Sequence, residues 1–336
     1  MNTLTRMADT PKDSGNQVQP DLAHNKSVNQ ETHDMDRREF SASVLTALGA
    51  AAAPSVALAA DGSAMTPNGS NLAHNLSVMI WTVLPDQPFE HRMAVVAEAG
   101  YRSIELYDEF EPWSPAEYAR MNKLRQSLGL AVDAVSVKKY GVSDPANARG
   151  FLEELQARMA IADRFECRDL IVLSGNTVPQ LSNAQQRQVS IDTLKRAGDV
   201  AAKGGYRILL ESLDPEEEPH WWLNSVSEGF DIVRAVGNPH VRMLYDFYHE
   251  QISGGNLIKK LMDNKDLVAL VHVADVPGRH QPGTGEVNYR SILQKLAEIQ
   301  FNGKIAMEFL PFADPVKELS EARRYVESAV ASQKVI

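Results

Sequence analysis

From about Asn75 onward, short runs of apolar and β-branched residues alternate with longer amphipathic segments. This alternation constrains the fold more than any other feature of the chain, because repeated strand and helix units of this kind build parallel sheets covered by helices. There are eight such runs. In chain order they are SVMIW at 77–81, SIELY at 103–107, AVDAVSV at 131–137, DLIVLSG at 169–175, RILLES at 207–212, VRMLYD at 241–246, LVALVHV at 267–273 and KIAMEF at 304–309.

The segments between these runs have the spacing of helices. Several end at a glycine, which suits the left-handed residue that closes many helices, and we predict such ends at Gly100, Gly129, Gly204 and Gly237. The predicted helices cover residues 89–99, 115–128, 146–165, 183–203, 225–236, 289–299 and 314–331.

Eight parallel strands with helices between them predict an α/β fold of the (β/α)8 barrel type, a TIM barrel, as one domain over residues 70–336. A doubly wound open sheet is the alternative. It would be expected to carry a Gly-x-Gly-x-x-Gly turn after the first strand, and SVMIW is followed by no such turn. The barrel is therefore favoured.

The N-terminal part of the chain differs from the rest in composition. Residues 1–35 are polar and lack hydrophobic periodicity, so we expect them to be disordered. Residues 36–60 begin with Arg37 and Arg38, continue as an alanine-rich apolar run and end near the small-x-small sequence Ala57-Leu58-Ala59. This is the layout of a secretory signal, and the Arg-Arg-x-Phe pattern resembles a twin-arginine export signal.

The predicted location is therefore the periplasm, with cleavage after Ala59 or Ala60 and no stable membrane insertion afterwards. The alternative is an uncleaved membrane anchor, because the segment approaches the length that spans a bilayer. Its alanine content and Pro54 disfavour that alternative. The formal net charge of -10 disfavours nucleic acid and anionic membranes as partners, so a small substrate is expected. The oligomeric state stays open, a homo-oligomer included.

The last residues of the final four runs carry metal-ligand chemistry. The fifth run contains Glu211, the sixth ends in Asp246, the seventh contains His272 and the eighth contains Glu308, at intervals of 35, 26 and 36 residues. Because the active site of such a barrel lies at the carboxyl ends of its strands, these side chains are predicted to meet at one rim. Three acids clustered there without a cation would repel one another. An oxygen-rich set with one imidazole suits Mn²⁺ or Mg²⁺ best, with Co²⁺ and Zn²⁺ as alternatives.

Four stretches resemble one enzyme family. RILLESLD, MLYDFYHEQ, VHVADVPGRHQPGTGEVNY and GKIAMEFLP are similar to the hydroxypyruvate isomerase family within the xylose-isomerase-like barrels, and the resemblance runs from about Leu76 to the C-terminus. It implies a metal-dependent isomerase that interconverts hydroxypyruvate and 2-hydroxy-3-oxopropanoate. The metal ligands it implies are Glu211, Asp246, His272 and Glu308. Some hydroxypyruvate isomerases carry glutamine at the position of His272, whereas related keto-sugar epimerases carry histidine.

The resemblance also implies two substrate contacts, His249 after the sixth strand and Arg279 after the seventh. A guanidinium can bind a substrate carboxylate through two parallel hydrogen bonds. Moving a carbonyl between neighbouring carbons requires proton transfer through an enediolate, and Glu211 and Glu308 are predicted to transfer protons as well as bind metal. Two alternatives remain open: a keto-sugar epimerase or inositol-type dehydratase with the same metal, and an exported sugar-binding barrel without catalysis.

Overall fold

A computed structural model of the chain describes Leu72 and residues 75–331. The chain divides into two units, Met1–Met65 and Thr66–Ile336, and the described residues belong to the second. The predicted tail over residues 1–35 and the predicted export signal over residues 36–60 lie outside the described residues. Within the described part of the chain, no helix combines the length and apolar character needed to cross a membrane.

Eight parallel strands close into a barrel, which confirms the predicted (β/α)8 fold. Each strand pairs with the next along the chain, and the last pairs with the first. Helices cover the outside, so both faces of the strands are buried, as their near-continuous apolar sequences require. The strands are β1 Leu76–Met79, β2 Ser103–Leu106, β3 Ala131–Val137, β4 Asp169–Leu173, β5 Arg207–Glu211, β6 Val241–Asp246, β7 Val268–Val273 and β8 Lys304–Met307.

Nine α-helices are seen in the described residues, two more than the sequence pattern predicted. The additional pair, α6 and α7, lies between β6 and β7, and its helices have only seven and eight residues. The helices are α1 Phe89–Glu98, α2 Pro115–Ser127, α3 Ala148–Arg164, α4 Asn183–Gly204, α5 Val226–Val236, α6 Phe247–Ser253, α7 Leu257–Asn264, α8 Tyr289–Glu298 and α9 Pro315–Ala331.

The predicted helix ends are correct in three cases. Gly100, Gly129 and Gly237 follow their helices in the left-handed region, with φ of 90°, 68° and 67°. The prediction for Gly204 was wrong, because Gly204 is the last residue of α4 and Gly205 adopts the left-handed conformation, with φ of 69°. In a Gly-Gly pair, both residues tolerate that conformation, so sequence alone does not choose between them.

Two apolar clusters fill the fold. The larger one joins strands to helices, and the smaller one draws its buried members from strands alone, including Leu209, Leu244 and Ala306. These strand residues point into the barrel. Because side chains alternate across a strand, the positions two residues further along β5, β6 and β8 also face inward. Those positions are Glu211, Asp246 and Glu308, the last of which directly follows β8.

Candidate metal centre and active site

The four predicted ligands meet at the carboxyl end of the barrel. Glu211, Asp246, His272 and Glu308 are all buried, and one ligand atom from each lies within 4.8 Å of the others. From His272 Nδ1 the distances are 2.6 Å to Glu308 Oε2, 3.5 Å to Glu211 Oε1 and 3.9 Å to Asp246 Oδ2. The four side chains therefore lie together, although about a hundred residues separate Glu211 from Glu308 along the chain.

The arrangement of two atoms fits a bound cation. His272 Nδ1 and Glu308 Oε2 lie 2.6 Å apart, yet both are buried atoms without a hydrogen-bond partner. Their close contact thus lacks the geometry of a hydrogen bond, and both atoms face one small volume that Glu211 and Asp246 also border. Buried polar atoms that lack a hydrogen bond are costly, although Glu308 Oε2 also has the charge of Arg279 2.8 Å away. Three carboxylates with one imidazole are a suitable donor set for a divalent cation.

A fourth acid contacts the other ring nitrogen of His272. Glu105 on β2 is fully buried, and its Oε2 lies 2.8 Å from His272 Nε2. When Nε2 carries the ring proton and donates a hydrogen bond to Glu105, Nδ1 keeps a lone pair directed at the three carboxylates. Burial raises the pKa of Glu105 to about 7. Glu105 was not among the predicted site residues, although it is an acid within an otherwise apolar strand.

The two glutamates predicted to transfer protons have different electrostatic surroundings. Burial raises the pKa of Glu211. Burial acts in the same direction on Glu308, but the charges of Arg279 and His272 outweigh it and leave the pKa of Glu308 lowered. Glu308 also accepts a hydrogen bond of 2.7 Å from the indole Nε1 of Trp81. The two carboxylates therefore differ in affinity for a proton although they lie in one site.

Arg279, the first predicted substrate contact, lies beside the candidate ligands, and its N–H groups have neighbours. Nε donates to the backbone oxygen of Glu308 at 3.2 Å. Nη1 lies 2.7 Å from Glu217 Oε2 and 3.3 Å from His249 Nε2. Nη2 lies 2.8 Å from Glu308 Oε2 and 3.5 Å from Asp246 Oδ2. The guanidinium is thus the counter-ion of several acids, a role that the sequence did not indicate.

His249, the second predicted substrate contact, is held between two acids. Its Nδ1 lies 2.6 Å from Asp214 Oδ2 and its Nε2 lies 3.6 Å from Asp246 Oδ2. Burial lowers its pKa, but Asp246 and Asp214 outweigh burial, so the pKa is raised overall. Asp214 and Glu217 follow β5 and form, with His249, a second group whose ligand atoms lie within 4.8 Å of one another. Neither acid was predicted, because both lie in a polar loop where acids are common.

The fold and the site together define a parallel barrel with a candidate metal centre at its carboxyl end. A family model described as xylose isomerase-like TIM barrel matches residues 93–329. The chain belongs to the xylose isomerase-like TIM barrel family.

Relatives of this chain are named as isomerases. It is 29% identical over 259 residues to the 2-oxo-tetronate isomerase of Pectobacterium atrosepticum, which covers 76% of this chain and 97% of that protein. It is 28% identical over 260 residues to a putative hydroxypyruvate isomerase of Streptomyces coelicolor, which covers 72% of this chain and 91% of that protein. Among solved structures, the IOLI protein with a binding zinc atom shares the fold, with a TM-score of 0.66, 17% identity and coverage of 78% of this chain and 100% of that chain. The protein is therefore an isomerase-like barrel.

Proposed function

We propose that this protein is a metal-dependent isomerase of a short hydroxy-2-oxo acid, with hydroxypyruvate and 2-hydroxy-3-oxopropanoate as its substrate pair. The observation that carries the proposal is the convergence of Glu211, Asp246, His272 and Glu308 on one buried point. The names of the relatives support the substrate class, because hydroxypyruvate and 2-oxo-tetronate both have a ketone next to a carboxylate.

Three carboxylate oxygens and His272 Nδ1 would hold the cation. The donor set suits Mn²⁺ or Mg²⁺ best, and Co²⁺ and Zn²⁺ are compatible with it. When bound, the cation would polarise the substrate carbonyl and stabilise the negative charge of an enediolate.

The remaining chemistry belongs to the side chains. One of Glu211 and Glu308 removes a proton from the hydroxyl-bearing carbon, and the other returns a proton to the neighbouring carbon. The hydroxyl proton passes to the oxygen of the former ketone, so that the first carbon becomes the aldehyde and the second bears the new hydroxyl. Their burial keeps water away from the reacting carbons, and His249 lies where it can hydrogen-bond a substrate oxygen. Arg279 holds Asp246 and Glu308 in place from the side.

One measurement tests this proposal directly. The purified protein is analysed for metal, stripped with a chelator, reloaded with Mn²⁺ or Mg²⁺ and incubated with hydroxypyruvate while the product is followed by NMR. We expect isomerisation that disappears with the metal and returns with it. A metal-loaded protein that does not isomerise hydroxypyruvate or any other short hydroxy-2-oxo acid would contradict the proposal.

A keto-sugar epimerase is the second candidate, and the contacts of Arg279 favour it. If the guanidinium is fully occupied by acids, it has no free pair of N–H groups for a substrate carboxylate, and a neutral substrate would suit the site. A parallel assay on ketopentoses and ketohexoses separates the two functions, because an epimerase inverts a carbon without moving the carbonyl.

The location is a separate proposal. Arg37 and Arg38, with the alanine-rich run that follows them, support export to the periplasm. Mass spectrometry of the native protein should show a chain that begins near Ala60 or Asp61. Exported material that retains Met1 would contradict this proposal.

A further inference from the structure

The wall of the barrel mouth formed by β2 and β3 carries a lysine that the proposed reaction leaves without a role. Lys138 directly follows β3. On that strand Ala134 belongs to the apolar cluster inside the barrel, so Ser136 and then Lys138 continue the inward face. Lys138 therefore lies at the carboxyl end of the barrel, on the side of the active site.

Tyr107 forms the same wall. It lies two residues after Glu105, whose side chain reaches His272 inside the barrel, and its ring packs against the inner apolar cluster. The ammonium of Lys138 lies 4.4 Å from the centre of the Tyr107 ring. The pKa of Tyr107 is raised, first by burial, and the charges of Lys138 and Glu211 both act on it. Tyr107 and Lys138 therefore lie together at the carboxyl end of the barrel, above the inner apolar cluster.

This wall stands across the barrel from two of the proposed ligands, Asp246 on β6 and His272 on β7. In a closed barrel of eight strands in sequence order, β2 and β3 lie opposite β6 and β7. A substrate that approaches Asp246 and His272 with its reacting carbons therefore has Lys138 facing its other end. The lysine side chain is 24% exposed, and its ion-pair partner, Asp108, is 41% exposed, so the pair is open to a ligand.

Arg279 is already in contact with acids of the site, so another cation is needed to bind a substrate carboxylate. The sequence indicated Arg279 for binding of a substrate carboxylate, but its N–H groups face Glu217, His249, Asp246, Glu308 Oε2 and the Glu308 backbone. An anionic substrate that enters a site with so many acids needs a cation that is not already neutralised by them. Among the residues that the structure describes, the acid paired with Lys138 is Asp108, whose side chain is partly exposed to solvent.

We propose that Lys138, supported by the ring of Tyr107, binds the carboxylate of the substrate and selects acids over neutral hydroxy-ketones. This inference rests on the proposed function and adds to it the residue that determines the substrate class. A lysine acts here as a point charge and not as a planar fork, so it accepts the carboxylates of acids of three or four carbons alike.

The test compares two substrates that differ only at the end that Lys138 is proposed to bind. Hydroxypyruvate and dihydroxyacetone share the hydroxy-ketone, and the first has a carboxylate where the second has CH₂OH. The readout is the ratio of kcat/KM for hydroxypyruvate to kcat/KM for dihydroxyacetone. In Lys138→Met this ratio should fall by about 10- to 100-fold, chiefly through a higher KM for hydroxypyruvate, because a hydrogen bond to a charged group is lost.

Three further variants distinguish carboxylate binding by Lys138 from a purely structural Lys138–Asp108 ion pair. Lys138→Arg keeps the charge and should keep most of the ratio. Asp108→Asn removes the competing acid and should keep or raise the ratio, whereas a structural pair would respond to Asp108→Asn as it does to Lys138→Met. Lys139→Met is the matched control, because Lys139 lies over Tyr140, and it should leave the ratio unchanged. A ratio in Lys138→Met within about twofold of wild type, or a fall in Asp108→Asn equal to that in Lys138→Met, would overturn the inference.

A failure of the proposed function gives a different result. If the metal-loaded wild type turns over neither compound nor any other short hydroxy-2-oxo acid, the isomerase proposal fails. Carboxylate binding by Lys138 is then tested by calorimetry with D-glycerate, which has the carboxylate but no ketone. Weaker binding of D-glycerate to Lys138→Met than to wild type supports the proposal that Lys138 binds the carboxylate. Equal binding, or no binding to either protein, overturns it.

Discussion

Glu105 Oε2 lies 2.8 Å from His272 Nε2, so the ring nitrogen remote from the other ligands is held by a buried carboxylate. Partners of this kind fix the orientation of a ligating imidazole and commonly change metal affinity 10- to 100-fold when they are removed. In Glu105→Leu the Nε2–H would be buried without an acceptor and the ring would lose its orientation. We expect the affinity for Mn²⁺, measured by competition with a chelator, to fall by about 10- to 100-fold.

Glu105→Gln is the matched control for that variant. Its amide oxygen can still accept the hydrogen bond from Nε2, so most of the affinity should remain. If Glu105→Leu binds Mn²⁺ as tightly as wild type, Glu105 is a buried acid without influence on the metal centre.

The proposed roles of Glu211 and Glu308 can be distinguished from those of the other proposed ligands by the effect of substitutions on turnover. Replacing either with Gln keeps an oxygen that can bind metal but removes the base. Each variant should retain a measurable fraction of its metal and lose isomerisation by about 10³-fold or more. Asp246→Asn and His272→Gln are the comparison, because they should mainly weaken metal binding and recover part of their activity in excess Mn²⁺. Equal rescue of all four variants by Mn²⁺ would leave the glutamates as ligands alone.

The route of the hydrogen gives an independent check on the glutamates. If they transfer protons, turnover of hydroxypyruvate in D₂O should place deuterium on the carbon that receives the proton. NMR of the product detects it. A direct hydride shift between the two carbons would leave the product free of solvent deuterium and would remove both glutamates from the role of base.

Asp246 has a structural role besides its place among the proposed ligands. Its Oδ1 accepts hydrogen bonds of 2.7 Å from the backbone N–H of Tyr248 and 3.2 Å from that of His249, so it caps the start of α6. Asn and Ala both remove the charge of Asp246, but only Asn keeps an N-cap oxygen. In the presence of a chelator, the free energy of unfolding of Asp246→Ala should be lower than that of Asp246→Asn by about 1 kcal/mol. Urea unfolding of the two variants measures the difference, and equal midpoints and slopes would show that the cap contributes nothing.

The sequence was informative about the fold and about the convergence of the four proposed ligands, because both depend on local periodicity. An acid or histidine two residues beyond a buried inward position must face the barrel mouth, and this applies to Glu211, Asp246 and Glu308 alike. Glu105 was not predicted because its partner, His272, is 167 residues away in the sequence. A single acid in a strand has no local sequence feature that indicates such a partner. Helix α6 escaped because its seven residues begin directly at the end of β6. The engagement of Arg279 by acids also depends on contacts between distant loops.

Arg279 provides the sharpest contrast with Lys138. Because its guanidinium lies 2.8 Å from Glu308 and 2.7 Å from Glu217, it orders the acids of the site whatever the substrate is. Arg279→Lys keeps the charge but loses the planar fork, so kcat/KM should fall by roughly 10- to 100-fold for hydroxypyruvate. The fall should be similar for dihydroxyacetone, so the ratio of the two values should stay near that of wild type. This is the opposite of the pattern expected for Lys138→Met, in which the ratio itself changes. Steady-state kinetics on both substrates decides the point: a loss in Arg279→Lys confined to hydroxypyruvate would show that Arg279, and not Lys138, binds the carboxylate.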